Sequence, residues 1–158
     1  MEPSSFDEPA FFRAISQSRA RALLIGRRAL VLLGLPVLTA DYDFWLAIED
    51  IDLFNATCLP FGLTPTRSPE EARRSGRYVL ENDEHVDVLV ARSARTVDGR
   101  LVEFERLWEN RESIDLGEGT SLFIPEIGGL ILTKQIKARP KDLEDIRLLE
   151  ALRLEREP

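Results

Sequence analysis

Cysteine and histidine are almost absent: the chain has one of each, Cys58 and His85. A single thiol cannot close an intramolecular disulfide or build a cysteine-rich zinc site, and a single imidazole removes most histidine-based metal and triad chemistry. Any catalysis must therefore lean on carboxylates, arginine and lysine. Long apolar runs are also lacking. The longest, residues 29–40, is interrupted by Gly34 and Pro36 and falls far short of the roughly 20 residues that span a bilayer. The chain begins with polar and acidic residues, without the basic and apolar regions of a secretory signal. The expectation is a cytoplasmic protein of bacterial type with no membrane role.

Lysine is scarce as well. Of 21 bases, 18 are arginine and three are lysine, namely Lys134, Lys137 and Lys141. Residues 29–66 hold no base at all, yet they hold five acids: Asp41, Asp43, Glu49, Asp50 and Asp52. Such a local surplus of carboxylate must be solvated, protonated or met by a cation from elsewhere. The net charge of -7 argues against a chain whose main task is to hold nucleic-acid backbone, so no extended nucleic-acid-binding surface is expected.

What remains is ordinary globular composition, 44% hydrophobic and 31% charged over 158 residues. That length favours one domain over residues 1–158, with roughly 70% of the unfolded surface buried on folding. Residues 9–22 read as a first helix, 22–25 as a buried strand ending at Gly26, and 27–33 as a helix stopped by Gly34 and Pro36. The clearest period lies in residues 39–48. Tyr42, Phe44, Leu46 and Ile48 occupy one parity, and Asp41, Asp43, Trp45 and Ala47 the other, which predicts a strand. A helix follows over 51–60, and Ser68-Pro69-Glu70-Glu71 has the cap, proline and capping-box glutamate of another. Residues 77–81 and 85–92 flank Asn82-Asp83-Glu84 as a hairpin, with Val86, Val88 and Val90 on one side of its second arm.

Residues 101–111 read as an amphipathic helix with Phe104, Leu107 and Trp108 on its apolar side, and 120–124 as a short strand. Pro125 and Pro140 open the last two helices, the second with Leu143, Ile146, Leu149 and Leu152 inward. The fold class is therefore α/β or α+β, a short mixed β-sheet flanked by α-helices.

Asp41 and Asp43, two apart on a strand, project from the same face roughly 6.6 Å apart along the chain. Two readings stand: the strand end exposes both acids to water, or the carboxylates converge. Converging like charges repel unless one takes up a proton or a cation intervenes. A hard divalent ion such as Mg2+ or Mn2+ resolves the conflict through oxygen ligands. Asp87, on a second strand whose opposite face is the valine stripe, would complete the three carboxylates that phosphoryl transfer with two metals needs. Upstream, a strand, Gly26 and a helix place free backbone N–H groups where an anion can sit.

Taken in order, Leu24-Ile25-Gly26-Arg27-Arg28-Ala29, Leu33-Gly34-Leu35-Pro36 and Thr39-Ala40-Asp41-Tyr42-Asp43-Phe44 resemble the polymerase-beta-like nucleotidyltransferase superfamily. His85-Val86-Asp87-Val88-Leu89 is similar to the strand bearing the third metal carboxylate. Lys134, followed by Arg139-Pro140-Lys141-Asp142 and Asp145, resembles the C-terminal motif of small bacterial members, the minimal and abortive-infection nucleotidyltransferases. The resemblance spans about residues 20–150.

The resemblance implies transfer of a nucleoside monophosphate from an NTP, with release of pyrophosphate. In that reading Asp41, Asp43 and Asp87 are catalytic and bind Mg2+ or Mn2+, and Asp87 also helps to activate the acceptor hydroxyl. Gly26 lets the triphosphate approach the backbone. Lys134 is its counter-charge, Arg27 and Arg28 are candidate phosphate ligands, and Thr39 orients the first carboxylate or caps the strand entry. The acceptor is unidentified: a protein, a tRNA end or a small molecule. Its recognition falls to loops such as residues 64–77 or to a helical partner protein, as in toxin-antitoxin pairs.

Two positions depart from the pattern. Arg27 stands where relatives have a second Gly or Ser, and Val37 where they often place Arg. Arg27 thus supports an alternative: a catalytically impaired module of the same fold that binds a nucleotide or a partner. His85 reads as a hydrogen-bonded hairpin histidine, Trp45 as core, Cys58 as a small buried hydrophobe, and Asp142 and Asp145 as acids complementing a helix dipole.

Overall fold

A computed structural model describes residues 6–157. Asp7 caps the first helix, α1 (Glu8–Gln17), by accepting the Ala10 N–H at 3.0 Å. Strand β1 (Ala22–Ile25) then leads directly into α2 (Gly26–Leu32), and β2 (Asp41–Leu46) follows. After a 3-10 turn come α3 (Ile51–Cys58), the two-residue β3 (Thr64–Pro65) and α4 (Pro69–Ser75). The capping box of α4 is in place: Ser68 Oγ accepts the Glu71 N–H at 3.2 Å and Glu71 reaches back to the Ser68 N–H at 3.4 Å. Strands β4 (Arg77–Glu81) and β5 (His85–Leu89) form the expected hairpin.

These strands make one mixed sheet in the order β1-β2-β5-β4-β3. All neighbouring pairs are antiparallel except β2 and β5, which run parallel. A parallel pair needs a long crossover, and α3 through β4 supplies it.

Strand alternation divides the side chains of the sheet between two layers. Leu24, Tyr42, Phe44, Leu46, Tyr78, Leu80, Val86 and Val88 enter the main core, where α1, α2 and α3 bring Phe11, Leu30 and Phe54 against them. The opposite parity is covered over part of its length. Leu23, Trp45 and Ala47 pack with Val102, Phe104 and Leu107 in a second, smaller cluster. Trp45 is core, as expected, with its indole N–H donated to the Ala91 carbonyl at 2.8 Å. Asp43 and Asp87 share its parity but lie beyond this cover.

The region after β5 departs from expectation. Residues 101–111 are not one helix. β6 (Ser93–Arg95) pairs with β7 (Leu101–Glu103), and α5 (Phe104–Glu109) begins only afterwards. The intervening Asp98-Gly99 is a turn signal, with Gly99 at φ +87°. A further strand, β8 (Glu112–Gly117), pairs with the expected β9 (Thr120–Ile124). The last helices are α6 (Ile127–Gln135) and α7 (Pro140–Arg156).

On α7, Ile146 and Leu149 are buried as expected, but Leu143 is 45% exposed. Asp142 and Asp145 turn inward with those two apolar residues, toward cations described below. No helix among the described residues is long and apolar enough to cross a membrane.

Within the main core Phe44 ties the sheet to α3 and α1, meeting the Phe54 ring at 5.3 Å and the Phe11 ring at 6.4 Å. Phe44→Ala should cost about 3–5 kcal/mol, read as a lower denaturant midpoint at unchanged slope.

Candidate active site

The uncovered part of the sheet forms the floor of a cleft of about 230 Å³. Its walls come from the β1–α2 turn, the ends of β2, β5 and β4, and the α6–α7 junction. The parallel register sets Asp43 opposite Asp87 and Asp41 opposite His85. All three aspartates line the cleft, as do Gly26, Arg27, Thr39 and Lys134.

Thr39 Oγ1 accepts the Asp41 N–H at 3.1 Å, so the threonine fixes the entry to β2. Arg28 is the expected phosphate ligand that stands outside the cleft lining. Its guanidinium donates to the carbonyls of Thr39 and Asp41 at 3.3 and 3.4 Å, pairs with Glu8 at 3.3 Å and lies 4.3 Å from the Tyr42 ring centre. It braces the same strand entry from behind.

Gly26 has φ +70°, and a Cβ placed there would sit 2.4 Å from Asp43 Oδ2. Left-handed backbone and this contact both demand glycine. The Asp43 carboxylate consequently packs against bare backbone at the start of α2. Burial first, then the charges of Asp87 and Asp41, push the Asp43 carboxyl up to about 6, against the partial relief of Lys134 and Lys141.

Such a carboxyl is only partly compensated, and an all-oxygen donor set is what Mg2+ or Mn2+ takes. In kind, then, the residues fit a divalent cation. In placement they are not closed around one: among the described residues no three His, Cys, Asp or Glu side chains form a ready metal-holding group. Asp87 instead meets His85, Oδ2 to Nε2 at 3.2 Å, while the other imidazole nitrogen lies 3.6 Å from Glu81. The parallel register puts Asp41, Asp43 and Asp87 on one face of the sheet.

Lys134 is buried, and its Nζ stands 2.8 Å from Asp145 Oδ2 and 3.8 Å from Asp142 Oδ1. The Arg27 Nε reaches the same Asp145 oxygen at 3.1 Å, and its Nη1 donates to the Leu38 carbonyl at 3.4 Å. Asp145 Oδ1 is buried without a hydrogen-bond partner. Asp142 is held below the usual carboxylate range. Burial opposes its ionisation, but the Arg139 side chain, the Arg139 N–H and the charges of Arg139 and Lys134 outweigh that opposition.

Asp142 and Asp145 are therefore a buried ionic support for Lys134 and Arg27, where dipole compensation alone was expected. The signal for them was their spacing of three, which places both on the face of α7 that also carries Ile146. Arg67, Arg77, Lys137 and Lys141 also line the cleft, so every lysine of the chain is at this site.

No protein-family model matches the chain. Over 98 residues, 61% of the chain, it is 29% identical to an F-box protein of Arabidopsis thaliana, and it spans about 20% of that protein's length. Among solved structures, antibiotic-resistance factor ANT(2'')-Ia matches with a TM-score of 0.63 and 15% identity, over 90% of this chain and 80% of that one. A Thermotoga maritima protein described as a putative nucleotidyltransferase matches with a TM-score of 0.52 and 15% identity, over 92% of this chain and 88% of that one. The chain shares its fold, a mixed sheet flanked by helices, with both of these structures.

Asp43 gives the site a pH signature. Between its ordinary value of 3.8 and about 6, the folded state binds more proton than the unfolded state. Stability should therefore fall as pH rises through that window and level off above it, by an amount of the order of 3 kcal/mol. Asp43→Asn should flatten this slope and raise stability at pH 7, as measured by denaturation at pH 4, 5, 6 and 7. Gly26→Ala should destabilise by about 1–3 kcal/mol, because both the backbone region and the Asp43 contact refuse a Cβ.

Proposed function

Given a polymerase-beta-like nucleotidyltransferase fold, we propose that the protein transfers a nucleoside monophosphate from an NTP to an acceptor hydroxyl, with Mg2+ or Mn2+ as cofactor. One observation carries the reading: Asp43 faces Asp87 across a parallel strand pair, in a cleft whose adjoining turn, at Gly26, has no side chain. Asp41, Asp43 and Asp87 would hold the metal, which when bound offsets charge on the phosphate oxygens.

The chain's own residues do the rest. The bare backbone at Gly26 admits a phosphate close to the turn. Lys134, rigid in its ion pairs, and Arg27 provide positive charge on the α6–α7 side. The acceptor oxygen bonds to the α-phosphorus, and the bond from that phosphorus to the oxygen bridging the β-phosphate breaks. Pyrophosphate leaves with the electron pair, and the hydroxyl proton passes to the Asp87 carboxylate. The acceptor is a protein, a tRNA end or a small molecule, and a helical partner of toxin-antitoxin type is a candidate to present it.

A second reading is favoured by Arg27 alone. Its guanidinium is tied to Asp145 and to the Leu38 carbonyl beside the turn that would receive phosphate. In a binding module that has lost turnover, this tether stays shut.

Incubation with α-labelled NTPs, Mg2+ or Mn2+ and a bacterial lysate separates the two. Transfer should label an acceptor, and Asp87→Asn should reduce labelling by about a hundredfold or more. The module reading expects no label from the unaltered chain and labelling gained by Arg27→Gly.

A further inference from the structure

Although the chain has a net charge of -7, cations edge the cleft at both ends of its carboxylate floor. Arg27, Lys134 and the start of α7 occupy the end assigned above to the triphosphate. Arg67 and Arg77 occupy the other, beyond Asp87. In the antiparallel β4–β5 pair, Arg77 stands opposite Leu89 and Val79 opposite Asp87. Arg77 and Asp87 therefore share a sheet face as diagonal neighbours, roughly 7 Å apart across the ladder.

The Arg77 guanidinium has no carboxylate partner among the described residues, and Asp87 pairs with His85 instead. Arg67 is fixed in place: its Nη1 donates to Ser75 Oγ at 2.6 Å and to the Arg77 carbonyl at 2.9 Å. Both acceptors are neutral. The guanidinium is thus oriented at the cleft with its charge uncompensated, the state in which arginine binds an oxyanion through paired N–H groups.

A molecule that directs a hydroxyl at Asp87 must lie over this end of the cleft. A cationic acceptor would meet two arginines there, and a neutral one would leave both without a partner. Resting on the transfer reading above, we infer that the acceptor carries a phosphate group beside the hydroxyl that is modified, and that Arg67 and Arg77 hold that phosphate. The 3' end of an RNA and a free sugar phosphate share this chemistry. With an acidic protein around the site, contact is confined to one or two phosphates rather than a length of backbone.

The test is calorimetric titration of the full chain, first with a nonhydrolysable ATP analogue and Mg2+, then with acceptor probes on the same sample. The probes are a ribotetranucleotide with a free 3'-hydroxyl, ribose 5-phosphate, an uncharged morpholino tetramer of the same sequence and a polycationic amino sugar. The anionic probes should bind and the other two should not. Arg67→Gln with Arg77→Gln should weaken the anionic probes about a hundredfold and reduce their salt dependence. Affinity for the ATP analogue should hold within about threefold.

Arg77→Lys, which keeps the charge, should recover part of the binding, and Arg106→Gln, on the exposed side of α5, should change nothing. Tighter binding of the ribotetranucleotide identifies a strand end, and equal binding of ribose 5-phosphate a small phosphosugar. Binding of the morpholino or the amino sugar as tight as that of the RNA overturns the inference, as does unchanged RNA affinity in a folded double variant. An ATP analogue that fails to bind the unaltered chain removes the transfer reading instead, and that failure is read in the first titration.

Discussion

Asp43 and Asp87 occupy opposed positions on neighbouring parallel strands, so both side chains leave the same face of the sheet. Like charges at that spacing destabilise each other, and burial of Asp43 against the Gly26 backbone makes the conflict sharper. The rest of the site reads as a response to this one repulsion. Lys134 is brought in from α6 and Lys141 from the start of α7, and both lower the cost of ionising Asp43. A folded chain that keeps such a pair carries a local electrostatic debt that a bound cation and its anionic ligand would remove together.

The cleft exists because the second face of the sheet is covered only in part. Trp45, two residues beyond Asp43 on the same parity, is sealed under Val102 and Phe104, whereas Asp43 is not. The cluster that β7 and α5 build over Trp45 does not extend to the aspartates. On the helical side the closing elements are held by charge as well as by apolar contact. Lys134 and Arg27 converge on one oxygen of Asp145, and Asp142 binds both the side chain and the N–H of Arg139. A buried ion group of this kind gains little net stability over apolar packing, but loss of one partner strands a buried charge. It therefore fixes where α7 starts, and with it Lys141 at the cleft.

Most elements near the site were legible because each carries a local signal. The strict parity of residues 41–46, the Ser68 capping box and the prolines that open α4 and α7 hold as read. The elements that were not legible are short and depend on partners far along the chain. Strand β7 has three residues, too few to establish a period, and its apparent continuity with α5 comes from Phe104 and Leu107, which do belong to a helix. Strand β3 has two residues and exists because β4 lies beside it. For α7, hydrophobic periodicity placed Leu143 inward, but Lys134 with Arg139 draws Asp142 inward, and Lys134 with Arg27 draws in Asp145.

By itself, the sequence determined which chemistry was possible: one thiol and one imidazole leave carboxylates and cations, and strand alternation puts Asp41 and Asp43 on a common face. It also placed a glycine at the β1–α2 junction, though only the left-handed backbone and the packing of Asp43 show that no other residue fits there. Tertiary structure alone decided that Asp87 stands opposite Asp43, that Arg28 braces the strand from behind while Arg27 reaches Asp145, and that Arg67 and Arg77 edge the far end of the cleft. The reason is physical. Alternation, capping and turn formation act over a few residues and are written locally, whereas charge pairing depends on distances in space that arise only when strands and helices remote in the chain are packed together.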